Sequence, residues 1–213
     1  MSSRFVEIGK KIIGVGKNFK DPNVKSGNVP TRPLIFMKPS SSYITEGKPI
    51  KIPTGCQNLE HEVELGVVIS KRATEVTAQD AMNFVAGYAL VLDMTARDFL
   101  EQAQRDGTPW IFVKGCDTFT PVSKFIAMKQ IPDPNNLNLW CKVNGQMRQN
   151  GNTKDMIFKI PFLISFITTS ITLEANDLVL MGTPKGGARV RPGDKIECGI
   201  DELIKMSYEV ISK

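Results

Sequence analysis

A chain of 213 residues with 41% apolar side chains is long enough to bury one substantial core, and its formal charge of +5 is modest. Four widely spaced cysteines without a Cys-x-x-Cys pair, and a single histidine, exclude a disulfide framework and a Cys/His zinc site. The most apolar stretch, Ile157 to Ile171, carries Lys159 and Pro161, so no membrane span is expected.

Residues 1–53 hold ten Lys or Arg against three acids, a basic N-terminal part ahead of a near-neutral remainder. Solvated lysines explain that excess. No arginine-rich helix or basic–aromatic alternation points to nucleic acid. The N-terminus lacks the apolar run of a secretory signal. An intracellular protein with reduced thiols, mitochondrial or cytoplasmic, is the expectation.

Lys11-Ile12-Ile13 and Leu34-Ile35-Phe36-Met37 are the first strand candidates. The segment from His61 to Ile69 follows, rich in β-branched residues. Thr77 suits the N-cap of a helix over 78–85 that stops at Gly87, and a strand over 88–93 comes next. A helix over 96–105 ends at Asp106-Gly107. Leu139 to Val143, Asn144-Gly145, then Gln146 to Arg148 reads as a hairpin, because Asn-Gly suits a type I′ turn. Pro161 fits the first turn of a helix reaching Ser170. Leu178 to Met181 runs into the loop Gly182–Gly187, and Pro192-Gly193 turns into a last strand pair, Lys195 to Gly199 and Lys205 to Ile211. With no βαβ rhythm or internal repeat, the expected fold is one domain over 1–213. It is mixed α/β but mainly β, with mostly antiparallel strands and a few flanking helices.

Glu62 and Glu64 stand at i and i+2 of a strand, so they share a face. Two solvated glutamates are the plain reading. Asp93, closing the apolar run Tyr88 to Leu92, favours a second one: three carboxylates around a hard divalent cation. Arg97 and Asp98 follow at a strand-to-helix corner. Lys114, in Phe112-Val113-Lys114-Gly115, reads by itself as a surface lysine; buried near a metal, it would stabilise an enolate or carry a proton. The N–H groups and hydroxyl of Gly182-Thr183 offer a place for a substrate carboxylate, though a plain turn explains them equally. His61 precedes Glu62 and so faces the opposite side. Gly14-Val15-Gly16 lacks the third glycine of a dinucleotide loop, since Phe19 stands there.

Five strings carry a family resemblance: HEVELGVVIS, GYALVLDMTARD, VKGCDTF, LWCKVNGQMRQ, and LMGTPKGG followed by RPGDKIE. Over nearly its whole length the chain resembles short proteins of the fumarylacetoacetate hydrolase superfamily, of the acylpyruvase or oxaloacetate-tautomerase type. The resemblance implies a β-roll, a homodimer, and a metal held by Glu62, Glu64 and Asp93 in the core spanning 54–213. Mg2+ or Mn2+ is the expected ion, with Ca2+ the third candidate. It also implies that Lys114 and Thr183, with Gly182 beside it, contact a small 2-oxo acid, and that Arg97 supports the site.

The chain also departs from that family. Relatives that hydrolyse C–C bonds carry a histidine and, three residues on, a glutamate after the string that is Gly16-Lys17-Asn18-Phe19 here; Pro22 and Lys25 stand in their places. A glutamine usual after the metal aspartate is Leu100. Hydrolysis needs an activated water, whereas keto–enol tautomerisation or decarboxylation needs an electron sink and modest proton handling. The expectation is metal-dependent tautomerisation or decarboxylation of oxaloacetate, with weakened acylpyruvate hydrolysis. A non-catalytic relative that binds metal and ligand is the alternative.

Overall fold

The computed structural model describes residues 4–21 and 29–213. In chain order the strands begin with β1 (Lys11–Gly16), β2 (Leu34–Pro39), β3 (Tyr43–Ile44), β4 (Ile50–Ile52), β5 (Leu59–Glu60) and β6 (Val63–Ile69). Next come β7 (Val85–Leu92), β8 (Thr95–Ala96), β9 (Thr120–Pro121), β10 (Ile126–Ala127), β11 (Asn138–Val143) and β12 (Gln146–Asn152). The last are β13 (Leu178–Leu180), β14 (Arg189–Val190), β15 (Lys195–Ile200) and β16 (Ile204–Ser212). Helices α1 (Phe5–Ile8), α2 (Arg97–Asp106), α3 (Ile111–Lys114) and α4 (Ile160–Thr168) flank them. The fold is mixed α/β and mainly β, as expected.

Two sheets carry the architecture. The larger runs β10-β7-β6-β13-β1-β2 and the smaller β12-β11-β15-β16-β4. Neighbours are antiparallel except β1–β13 and β4–β16. The basic N-terminal stretch is woven into both sheets through β1, β2 and β4. Strands β6 and β7 are central and buried along both faces, so they read as continuous apolar runs. Strand β11 alternates, because only one of its faces meets the core. Leu65, Leu90 and Leu92 of the larger sheet share the main core with Leu139, Ile196 and Cys198 of the smaller.

The Asn144-Gly145 turn has positive φ at both residues (51° and 77°), the type I′ geometry that joins β11 to β12. Helix α2 ends on Gly107 in the left-handed region at φ 66°, where glycine alone carries no Cβ penalty. The helix expected over 78–85 is not formed. Only a 3-10 turn, Ala81–Phe84, follows Thr77, whose hydroxyl accepts from the Asp80 N–H. Val85 already pairs with Ile69 in the sheet. Ladder pairing and burial of Val85 override helix propensity in so short a segment.

Candidate metal centre and active site

The site grows from the paired ends of β6 and β7. The ladder aligns Val63 with Leu92, and one step further the Asp93 N–H donates to the Glu62 carbonyl at 2.8 Å. That register sets Glu62 opposite Asp93, and alternation along the strand brings Glu64 to the same side. One carboxylate oxygen from each of Glu62, Glu64 and Asp93 lies within 4.8 Å of the others. Glu64 is 2% exposed and Asp93 is fully buried, so solvated glutamates do not describe the pair.

Lys114 is 4% exposed, which overturns its reading as a surface lysine. It closes α3, a four-residue helix packed near β8, and its ammonium donates to Glu62 Oε2 (2.8 Å), Asp93 Oδ2 (2.5 Å) and Thr95 Oγ1 (2.7 Å). It also lies 4.7 Å from the centre of the Phe36 ring. That ring covers Gly14, where any Cβ would sit 2.2 Å from it. Burial by itself would lower the lysine's pKa, but the charges of Asp93 and Glu62 drive it above the ordinary value. Lys114 therefore acts as a fixed cation and hydrogen donor.

A second buried lysine flanks Asp93. Lys38, on β2, bonds Asp93 Oδ1 and the Phe119 carbonyl. Burial would raise the Asp93 carboxyl, but Lys114 and Lys38 offset this and hold it below the usual aspartate range. Glu64 differs. Burial first, then the charges of Asp93 and Glu62, push its carboxyl well above the glutamate range. Its one hydrogen-bond donor among the described residues is the Gly182 N–H, at 2.7 Å. A buried carboxylate that forms no ion pair among those residues fits a divalent ion, and three oxygen donors suit Mg2+ or Mn2+.

Arg97, the first residue of α2, donates through Nε and Nη2 to Glu60 Oε2 at 2.9 and 2.7 Å, and its Nη2 lies 3.5 Å from Glu62 Oε1. It braces the site from its edge. Asp98 turns away to the Gln57 N–H. Thr183 donates its hydroxyl hydrogen to the Val63 carbonyl at 2.8 Å. A cavity of about 1070 Å³ opens over these groups, walled by Phe36, Trp110 and Leu100 and edged by Lys17, Lys20 and Lys185.

The structure thus brings together Glu62, Glu64, Asp93, Lys114, Arg97 and Thr183, with Gly182 bound to Glu64. Pro22 and Lys25 lie outside the described residues. Sequence reasoning missed Lys38, Glu60, Thr95 and Gln149. Lys38 carried a legible signal, a charge closing an apolar strand, the same one that singled out Asp93. Gln149 carried none, since its strand is otherwise mostly exposed.

Comparison with known proteins gives the family of the chain. The fumarylacetoacetate hydrolase C-terminal family matches residues 11–211. The chain is 49% identical over 210 residues to the mitochondrial oxaloacetate tautomerase of Mus musculus, covering 98% of this chain and 95% of that protein. It is 46% identical to the mitochondrial oxaloacetate decarboxylase of Dictyostelium discoideum, covering 98% and 97%. Among solved structures, the Pseudomonas aeruginosa fumarylpyruvate hydrolase in complex with Mn2+ and pyruvate superposes with a TM-score of 0.86 at 26% identity, over 96% of this chain and 91% of that one.

Proposed function

Because this chain belongs to the fumarylacetoacetate hydrolase family, we propose that it is an enzyme of small 2-oxo acids that interconverts the keto and enol forms of oxaloacetate. The observation that carries the reading is the buried Lys114 ammonium beside three converging carboxylates on the cavity floor. A Mg2+ or Mn2+ ion held by Glu62, Glu64 and Asp93 supplies, when bound, a Lewis acid that withdraws electrons from a keto group. The three Lys114 hydrogens go to Glu62, Asp93 and Thr95, so it acts on oxygen charge developing beside it as a fixed positive charge, and its raised pKa keeps it from serving as a base. Lys38 keeps Asp93 ionised, and Arg97 holds the Glu60–Glu62 edge. Phe36, Trp110 and Leu100 limit water around the reacting atoms.

Tautomerisation moves one proton between carbon and oxygen and consumes no water. Hydrolysis needs a base for water, and His61, the chain's one histidine, is buried away from the cavity against Gln149. Its imidazole is held neutral by burial, which lowers its pKa. The tautomerase and decarboxylase names of the relatives support oxaloacetate as the substrate, and their mitochondrial names support that compartment. A homodimer fits the exposed apolar residues of α3.

The test follows enol-oxaloacetate by ultraviolet absorbance with Mg2+ and with EDTA, alongside pyruvate formation. Mg2+-dependent loss of the enol band without pyruvate is expected, and Lys114→Ala should slow it by ~10²–10³. Pyruvate appearing at the same rate would make the enzyme a decarboxylase. Faster cleavage of acetylpyruvate than of oxaloacetate, or equal rates in EDTA, would refute the reading.

A further inference from the structure

Gln149 is a fully buried carboxamide that crosses from the smaller sheet to the site. Its Oε1 accepts from the Val63 N–H at 3.0 Å and meets His61 Nδ1 at 3.0 Å. Its Nε2 donates to Thr183 Oγ1 and to the Pro184 carbonyl, both at 2.7 Å. A backbone N–H only donates and a carbonyl only accepts, so this network assigns which end of the amide is oxygen. The same logic places the His61 hydrogen on Nδ1.

Thr183 inherits the consequence. A hydroxyl has one hydrogen and two lone pairs. Gln149 occupies one lone pair, and the hydrogen goes to the Val63 carbonyl at 2.8 Å. The other acceptor near it, the Pro184 carbonyl, is 3.5 Å away and already takes Gln149. Thr183 lines the cavity with one lone pair left. The neighbouring Gly182 N–H is spent on Glu64. Neither the Thr183 hydroxyl nor the Gly182 N–H has a hydrogen to give a substrate carboxylate.

We propose that Gln149 is a positioning residue that turns the Thr183 hydroxyl into a pure hydrogen-bond acceptor, so the site selects ligands that bring a hydrogen donor to Thr183 Oγ1. Of the two forms of a 2-oxo acid, the enol carries that donor as its O–H and the keto form does not. The enol preference rests on the function proposed above; the acceptor rule does not.

Two planar probes separate the possibilities by calorimetry on the full chain with saturating Mg2+: oxalate, which has no hydrogen to donate, and oxamate, which replaces one oxygen with NH2. Thr183→Val should weaken oxamate by about three- to tenfold, the worth of one net hydrogen bond, and leave oxalate unchanged or tighter. Thr183→Ser should restore oxamate. Gln149→Leu frees the Thr183 hydroxyl to turn its hydrogen toward the cavity, so the oxamate-to-oxalate affinity ratio should fall there too. Should that variant not fold, the Thr183 pair decides. Equal weakening of both probes, with oxaloacetate turnover still Mg2+-dependent in wild type, would overturn the inference and leave the proposed function standing. Failure of both probes to bind wild type would overturn the two together.

Discussion

Glu64 shows how a single buried side chain couples metal, proton and stability. Its carboxyl is raised by burial and then by Asp93 and Glu62, so without metal the folded protein binds a proton there that the unfolded chain releases at lower pH. A folded pKa above the unfolded one stabilises below the unfolded value, and that stability is lost as pH rises through the folded value. Metal-free wild type should therefore lose stability against Glu64→Gln as pH rises above the ordinary glutamate range. Each unit of pKa difference is ~1.4 kcal/mol, or roughly 3–6 °C for a chain of this size. Saturating Mg2+ should reverse the order, because the ion replaces the proton in wild type. Thermal melts across that range test this; a pH-independent difference between the two proteins would remove Glu64 from the account.

At the scale of elements, the loop after β13 is as constrained as a strand. Gly182 has φ 87°, and a Cβ there would lie 2.7 Å from the Asn18 Cβ and 3.1 Å from the Val15 carbonyl oxygen. Asn18 is itself tied to the Met181 and Phe158 carbonyls and to the Phe158 N–H. Gly145, at φ 77° in the hairpin turn, has nothing within 4 Å of such a Cβ. Both alanine variants bear the left-handed penalty of about 1–2 kcal/mol, but Gly182→Ala adds a clash and displaces the N–H that holds Glu64. Gly182→Ala should lower the melting temperature more than Gly145→Ala and should alone weaken Mg2+ binding. Equal losses in both, with intact Mg2+ affinity, would mean that the loop yields freely.

For the whole molecule, the informative surface is α3. Ile111 is 67% exposed and Phe112 is 74% exposed, side by side on a helix packed beside β2, an edge strand of the larger sheet among the described residues. Large adjacent apolar side chains in water mark an interaction surface, and an open edge strand has unpaired backbone groups to cover. In the proposed homodimer, a second copy of the chain would meet both needs. The opposite end of the same helix carries Lys114, so association would steady the element that positions the site cation. Phe112→Asp should convert a dimer to a monomer in sedimentation velocity. A wild-type monomer at all concentrations would remove the dimer from the proposal.

The amino-acid sequence by itself determined the local features whose causes are local. Asn-Gly at 144–145 sets the hairpin, Gly107 the end of α2, and Pro161 the start of α4. The shared face of Glu62 and Glu64 at i and i+2 is a property of any strand, and the charge of Asp93 ending the apolar run Tyr88 to Leu92 is visible without coordinates. Only the tertiary structure decided that Lys114 is buried. A lysine's burial depends on which carboxylates approach it, and Glu62 and Asp93 reach it across 52 and 21 residues of chain. Gln149 lies beyond sequence reading for the same reason, since its partners Val63 and His61 are 86 and 88 residues away, and the signal at Lys38 could not name Asp93, 55 residues on, as its partner. The segment at 78–85 failed in the other direction: its local helix signal was real, but the sheet's demand for Val85 was stronger.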